Sequence, residues 1–438
     1  MKGIEPKSIE LKIKDRSLRV GIVGLGYVGL PLAVAFAKAG FGTTGVDVDP
    51  RKVRSLTGGK SYVLDVPSAD VKALVRSRKL RATSDYAALA TVDAVIICVP
   101  TPLSKTKEPD VSYIVDATKR IAQRLKKGQL IVLESTTYPG TTEEVMLPLL
   151  ERSGLKVERD FFLAFSPERV DPGNKSFDTV SIPKVVGGIG PASTRAVTAL
   201  YASVIRRIVP VSSAKTAEMV KLLENTFRSV NIGLINEVAL MCDRLGIDVW
   251  EVIEAAKTKP FGFMPFYPGP GLGGHCLPID PLYLSWKSRL HGFEARLIEL
   301  ASAVNESMPH YVVQKVAQLL NDRRVPLKNA SVLVLGVAYK RDVDDLRESP
   351  ALEVIGGLVK GGARVSFADP HIASLSMAGK TLKAKPLTAS LLAAQDCSVV
   401  ITDHAGFDYD LVAKNAKLVL DTRNAMRRHK GRSHVHFL

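Results

Sequence analysis

Three groups of residues in this chain have types and spacings suited to chemistry. The first is Cys276, which lies near the end of Phe266-Tyr-Pro-Gly-Pro-Gly-Leu-Gly-Gly-His-Cys-Leu-Pro-Ile-Asp280. Glycines let a backbone wrap closely round a ligand. A thiol in such a loop is poorly placed for core packing and well placed to attack an electrophile as the thiolate. On the residues alone it is either a nucleophile or a structural thiol. The second group is Lys221, Asn225, Arg228 and Asn236, whose spacings of four, three and eight keep them near one face of a helix. They form either a polar stripe able to stabilise an oxyanion beside the cysteine or the solvent side of an amphipathic helix. The third is the turn Gly24-Leu25-Gly26-Tyr27-Val28-Gly29. Its first glycine permits a tight turn, its second lets the backbone approach a pyrophosphate, and its third allows close helix–strand packing. The helix that follows offers N–H groups and a positive dipole end. Asp47, about 20 residues on, is placed to bond the ribose hydroxyls, which favours NAD over NADP; Arg51 and Lys52 close by soften that preference.

These groups need a scaffold, and the hydrophobic pattern describes one. Short aliphatic runs at Arg19–Val23, Gly42–Asp47, Ala94–Val99, Gln129–Glu134, Phe161–Phe165 and Lys184–Gly187 read as strands, with helical periodicity between many of them. That alternation indicates a parallel sheet covered on both faces. From about 212 to 258 there is no proline, and Met219, Val220, Leu223, Phe227, Val230, Leu234, Val238 and Met241 recur at helical spacing, giving one long helix or two in series. A Gly/Pro-rich segment, 259–281, carries the cysteine, and a second helical stretch runs from about 295 to 320. Further strand-like runs follow at Ser331–Leu335, Arg364–Ala368, Ser398–Thr402 and Leu418–Asp421. The expected fold is therefore α/β, with two Rossmann-like domains, 1–210 and 326–438, joined by a central helical region, 211–325.

Composition narrows the function classes. No run of about 18 apolar residues suggests a transmembrane helix, and the first 20 residues lack the apolar stretch of a signal peptide, so a cytoplasmic location is expected. Cys98, Cys242, Cys276 and Cys397 are far apart and form no Cys-x-x-Cys pair, which argues against a disulfide framework or a metal site. The formal net charge is +16, but the basic residues are spread along the chain, so nucleic-acid binding is not expected.

Seven separated motifs occur in order: GLGYVGLPLA, VPTPL, ESTTYPGTTEE, SPERVDPGN, EMVKLLENTFRSVNIGLINE, GPGLGGHCLPIDP and GVAYKRDVDDLRESPA. Together they resemble the UDP-glucose/GDP-mannose dehydrogenase family over nearly the whole chain. The resemblance implies NAD as cofactor, a homodimer through the central helix, and oxidation of the C6 alcohol of a UDP-sugar to the acid in one site. It implies Cys276 as the nucleophile, Lys221 and Asn225 as oxyanion stabilisers, Asp280 as the carboxylate working with Lys221, Glu168 as an aid to thioester hydrolysis, and Thr136 between the nicotinamide and a proton-handling water. Pro100, Thr101 and Arg347 are implied at the cofactor, beside Gly24, Gly26, Tyr27, Val28, Gly29 and Asp47. Arg169, Val170, Arg228, Tyr267, Gly269, Gly271, Gly273, Tyr339, Lys340 and Arg423 are implied at the substrate. In the C-terminal domain Gly336 is followed by Val-Ala-Tyr rather than a Gly-x-Gly, which suits UDP better than a dinucleotide. The cysteine loop and its companion motifs are most similar to the branch acting on UDP-N-acetylglucosamine, with UDP-N-acetylmannosamine the nearest rival and UDP-glucose further off.

Overall fold

The computed structural model describes residues 7–63, 65–104, 108–169, 179–274, 276–377 and 379–438. The chain divides into two compact units, Met1–Glu224 with Trp286–Gly292 and Asn225–Ser285 with Phe293–Leu438.

The first unit is built on eight strands: β1 (Arg19–Val23), β2 (Gly42–Val46), β3 (Leu80–Thr83), β4 (Ala94–Ile97), β5 (Leu130–Leu133), β6 (Phe162–Phe165), β7 (Lys184–Gly188) and β8 (Ile208–Pro210). They lie in the order β3-β2-β1-β4-β5-β6-β7-β8. β4, β5 and β6 are buried at every residue. Alternate side chains leave opposite faces of a strand, so Val20, Ile22, Ile96, Val132 and Phe162 enter one core while Val23, Val95, Ile97, Ile131 and Leu163 enter another. Strands β1 to β6 are parallel, as expected from their continuous apolar runs. β7 departs from that pattern. It pairs antiparallel with β6, through Ala164 opposite Gly188 and Phe165 opposite Gly187, and β8 runs parallel to β7. An aliphatic run does not encode its direction, and the reversal brings the first residue of β7, Lys184, beside the carboxyl ends of β5 and β6. β3 and β8 are short and partly exposed, which hid them from the pattern.

The second unit holds a five-stranded parallel sheet: β9 (Ser331–Leu335), β10 (Arg364–Ala368), β13 (Cys397–Val400), β14 (Val419–Asp421) and β15 (Val435–Phe437), in the order β10-β9-β13-β14-β15. A hairpin of β11 (Ser374–Met377) and β12 (Lys380–Lys383) interrupts the sequence after β10. Its helices include Val249–Ala256 and the 27-residue Arg296–Asp322. Asp248 caps the first of these by accepting the Trp250 and Glu251 N–H groups, as an Asp at a helix start should.

The helix Ala214–Leu245 has 32 residues, about 48 Å at 1.5 Å per residue, and belongs to both units. Its polarity is inverted relative to an ordinary surface helix. Lys221, Asn225, Ser229 and Asn236 are buried, whereas Met219, Leu223, Phe227, Leu234 and Met241 are 37–58% exposed. The stripe of Lys221, Asn225 and Asn236 is therefore not the solvent side. Arg228, at the edge of that stripe, remains exposed. Among the described residues, no helix is long and apolar enough to cross a membrane.

Candidate active site

The first unit carries the glycine turn. Gly24 closes β1 with φ +90°, and a Cβ there would strike the Cys98 carbonyl oxygen; a Cβ on Gly29 would strike the Gly24 carbonyl. Both positions are closed to side chains by the fold itself. A Cβ on Gly26, by contrast, would meet nothing within 4 Å, and the helix Gly29–Lys38 begins without a side-chain cap. Open space at Gly26 before an uncapped helix N-terminus fits a dinucleotide pyrophosphate. Asp47 accepts the Leu25 N–H at 2.8 Å and the Asp49 N–H at 2.9 Å, with the Lys52 ammonium 3.3 Å away. A carboxylate has about four acceptor sites, so a ribose hydroxyl can still donate to it. Arg51 turns to Asp49 instead, by 2.9 and 3.1 Å hydrogen bonds. Tyr27 and Pro100 are exposed, and Val28, next to Tyr27 in sequence, is half-buried. The Thr101 hydroxyl donates to the Thr136 carbonyl, joining the segment after β4 to the segment after β5.

Beyond β6, Glu168 is half-buried and accepts the Arg169 N–H at 2.8 Å. The Arg169 guanidinium pairs with Glu224 at 2.6 Å. Behind Glu168 lies a buried ionic group that the residue pattern did not disclose. The Lys184 ammonium bonds the Glu134 carboxylate and lies 3.8 Å from that of Glu168, while the Tyr201 hydroxyl donates to Glu134. Burial, opposed in part by Lys184, raises the pKa of the Glu134 carboxyl above its ordinary value. Burial also acts against the Lys184 charge, but Glu134 and Glu168 overcome it and its pKa is raised. The overlooked signal is a lysine opening the buried run Lys184-Val-Val-Gly-Gly. Val170, expected at the substrate, lies outside the described residues.

In the second unit the Cys276 carbonyl accepts the Ile279 and Asp280 N–H groups, at 3.1 and 2.8 Å, so the cysteine sits at the turn that starts the helix Asp280–Leu290. Asp280 is buried and accepts from the Asn225 amide, and the Arg228 guanidinium donates to the Asn225 carbonyl oxygen. Asn225 thus joins the helix to the cysteine turn. Lys221, one turn earlier and 7% exposed, has no hydrogen bond or ion pair among the described residues. Asn236 acts differently. Its carbonyl oxygen accepts the Gly269 N–H at 3.0 Å and its amide donates to Asn305 at 2.8 Å, so it anchors the glycine loop. Asn305 was not read from the sequence, where it stands as one polar residue in an amphipathic stretch.

The glycine loop packs against the C-terminal domain. A Cβ at Gly269 would meet the Arg423 guanidinium, one at Gly271 the rings of Pro309 and Pro350, and one at Gly273 the side chain of Tyr339. Gly269, Gly271, Gly273, Tyr339 and Arg423 are therefore neighbours, with half-buried Lys340 next in the chain. The Tyr267 ring stacks on Trp250 at 6.2 Å and its hydroxyl donates to Glu254 at 2.9 Å. Arg347 forms a bidentate pair with Asp345.

One further cluster has the composition of a metal site. Asp342, His371 and His404 bring ligand atoms within 4.8 Å of one another. Burial opposes the charge on Asp369, but His404 and the Val337 and His371 N–H groups lower its carboxyl to about 2. His404 Nε2, 3.1 Å from that carboxylate, is thereby assigned as donor, and Nδ1 accepts the Asp342 N–H at 2.9 Å. Both ring nitrogens are committed, so His404 has no lone pair to offer an ion.

Comparison with known proteins accounts for both halves. Residues 18–205 match the NAD binding domain of the UDP-glucose/GDP-mannose dehydrogenase family, 215–307 its central domain and 333–428 its UDP binding domain. A UDP-N-acetyl-D-glucosamine 6-dehydrogenase of Pseudomonas aeruginosa is 38% identical over 361 residues, 82% of this chain and 84% of that protein. An NDP-N-acetyl-D-galactosaminuronic acid dehydrogenase of Ralstonia solanacearum is 37% identical over 418 residues, 92% of this chain and 95% of that one. The solved structure of a UDP-D-ManNAc dehydrogenase from Pyrococcus horikoshii superposes with a TM-score of 0.88 at 33% identity, covering 96% of this chain and 99% of that one. The chain belongs to the UDP-glucose/GDP-mannose dehydrogenase family and is an NAD-dependent nucleotide-sugar dehydrogenase.

Proposed function

We propose, with that membership as premise, that this protein oxidises the C6 alcohol of UDP-N-acetylglucosamine to the carboxylate through a covalent intermediate on Cys276. The observation that carries the reading is the inverted helix. A buried ammonium costs several kcal/mol unless it is compensated, and Lys221 is buried without a partner among the described residues, one turn from Asn225. Such a group suits an oxygen that becomes anionic only during reaction.

Gly24, Gly26, Gly29 and Asp47 hold the NAD, with Tyr27, Val28, Pro100, Thr101, Thr136 and Arg347 completing its site and either Arg51 or Lys52 at its adenosine end. NAD, when bound, takes up one hydride in each of two oxidations, so two are reduced per sugar. Asp280, with Lys221 and an ordered water, accepts the proton of the C6 hydroxyl. The Cys276 sulfur adds to the C6 aldehyde, forming a C–S bond, and the former carbonyl oxygen becomes an oxyanion held by Lys221 and Asn225. Oxidation at the same carbon gives a thioester. Water then attacks the acyl carbon, its proton passes to Glu168, the C–S bond breaks, and the Cys276 thiolate is regained. Arg169, Val170, Arg228, Tyr267, Gly269, Gly271, Gly273, Tyr339, Lys340 and Arg423 bind the UDP-sugar.

The choice of sugar rests on the cysteine-loop motifs and on the Pseudomonas relative; UDP-N-acetylmannosamine and UDP-glucose are the alternatives. NADH formed per sugar consumed, measured separately with the three sugars, tests both parts. Two NADH with UDP-N-acetylglucosamine alone is the expected result. Two NADH with another sugar alone changes the substrate, and none with any of the three rejects the reading.

The exposed stripe of Met219, Leu223, Phe227, Leu234 and Met241 supports a homodimer through the central helix, because apolar patches of this kind mark association surfaces. Leu223→Arg is expected to halve the mass measured by sedimentation. An unchanged mass would remove the helix from the interface.

A further inference from the structure

Of the Glu134–Lys184–Glu168 group, only Glu168 has a place in the steps above; Glu134 and Lys184 have none. Lys184 is 5% exposed and Glu134 1% exposed, in a sheet lined mainly by apolar side chains. Replacing a buried ion pair by apolar residues is often neutral or stabilising, so its presence is not explained by stability. Its location is specific. Glu134 follows β5 and Glu168 follows β6, both at the carboxyl edge of the sheet, where open α/β sheets bind their ligands. Lys184 reaches that edge because β7 runs antiparallel to β6.

The ammonium is shared unequally. It bonds Glu134 directly and stands 3.8 Å from Glu168. Glu134 is held in turn by the Tyr201 hydroxyl, and the Tyr201 ring lies 5.2 Å from the Lys184 ammonium. Among the described residues, the cluster also faces the buried Cys98 thiol, pushed well above its ordinary range by burial, and Glu168 accepts the backbone N–H of Arg169, whose guanidinium pairs with Glu224. A lysine given wholly to Glu168 would make it a weaker base, and loss of the lysine would remove a cation 3.8 Å from its carboxylate.

We propose that Lys184 is a positioning residue that orients Glu168 and sets its basicity for thioester hydrolysis, and that Glu134 moderates that effect by taking most of the ammonium's charge. This rests on the role given to Glu168 above. In that step water's proton goes to Glu168 as the C–S bond breaks, so the pH at which Glu168 becomes a carboxylate appears as the acid limb of the hydrolysis rate.

The experiment follows decay of the acyl-enzyme, by intact mass after rapid mixing with NAD and UDP-sugar, as a function of pH. Lys184→Met removes the cation and is expected to move the acid limb up by about one pH unit. Glu134→Gln, nearly isosteric, leaves the cation to Glu168 and is expected to move it down by a similar amount, while Lys184→Arg returns it toward the parent position. A purely structural role would lower the yield of folded enzyme and leave the limb where it was. Should Lys184→Met fail to fold, Glu134→Gln decides alone, and an unmoved limb in that variant overturns the proposal. Glu168→Gln separates the two levels. If its acyl-enzyme decays at the parent rate, the role of Glu168 itself is wrong; if its acyl-enzyme accumulates while the Glu134→Gln limb is unmoved, only the positioning role is wrong.

Discussion

The two α/β domains turn the chain after their first strands in the same way. Gly24, φ +90°, follows β1 and Gly336, φ +79°, follows β9. A Cβ on the first would strike the Cys98 carbonyl, and on the second the Thr402 carbonyl. In each, an aspartate after the neighbouring strand accepts the next backbone N–H: Asp47 from Leu25 at 2.8 Å, Asp369 from Val337 at 2.7 Å. The domains then diverge. In the first, a helix begins at Gly29, five residues after the turn glycine. In the second, the helix waits until Pro350, and the intervening segment carries Tyr339, Lys340 and Arg347. Asp369 is committed to His404, whereas among the described residues the ion-pair partner of Asp47 is a half-exposed lysine. The glycine and the acid thus build the turn in both domains, while the distance to the next helix and the surroundings of the acid set the two turns apart.

If the turns are structural in both domains, Gly24→Ala and Gly336→Ala should each cost about 3 kcal/mol or more, from positive φ together with a backbone clash. Chemical denaturation would show this as a lowered midpoint, and a parent-like midpoint in either would break the parallel. Gly26→Val has no counterpart in the second domain. With open space at that position in the protein, it should fold normally yet bind NAD roughly a hundredfold more weakly, read by calorimetry; parent affinity would deny the pyrophosphate its place at the turn. The two acids should differ in acid stability. Asp369 is held near 2, below its unfolded value of about 3.9, so its contribution is fully present above pH 4 and is lost as pH falls toward 2. Asp369→Asn should remove on the order of 2 kcal/mol at pH 7 and flatten the acid limb of the stability curve. The smallest effect is expected for Lys52→Met, since an ion pair with a half-exposed lysine contributes under about 1 kcal/mol. A larger loss would place Lys52 in the fold rather than beside it.

Much of this was legible in the residues, for identifiable reasons. Strands β1, β4, β5, β6 and β9 are buried on both faces and read as unbroken aliphatic runs, and the glycine turn announces itself because no other residue tolerates Gly24's backbone. What escaped was whatever depends on partners distant in sequence. The helix Ala214–Leu245 shows a clear apolar period, but spacing cannot say which side is outward, and here Leu223 and Leu234 are exposed while Asn225 and Asn236 are buried. The direction of β7 is equally silent in its composition, and with it went Lys184, whose partners Glu134 and Glu168 lie 50 and 16 residues away. The hairpin β11–β12 and the edge strand β15 are short and only partly covered. Asn305 became visible only once its bonds to Asn236 and the Ser229 carbonyl were known.

The covalent step is tested most directly with Cys276→Ser, NAD and UDP-N-acetylglucosamine, by measuring uronic acid formation together with NAD affinity. NAD affinity should be unchanged, because the glycine turn belongs to a different domain, and acid production should fall by roughly a thousandfold or more, as for removal of a catalytic nucleophile. Acid formed at the parent rate would show that Cys276 carries no intermediate and would contradict the mechanism.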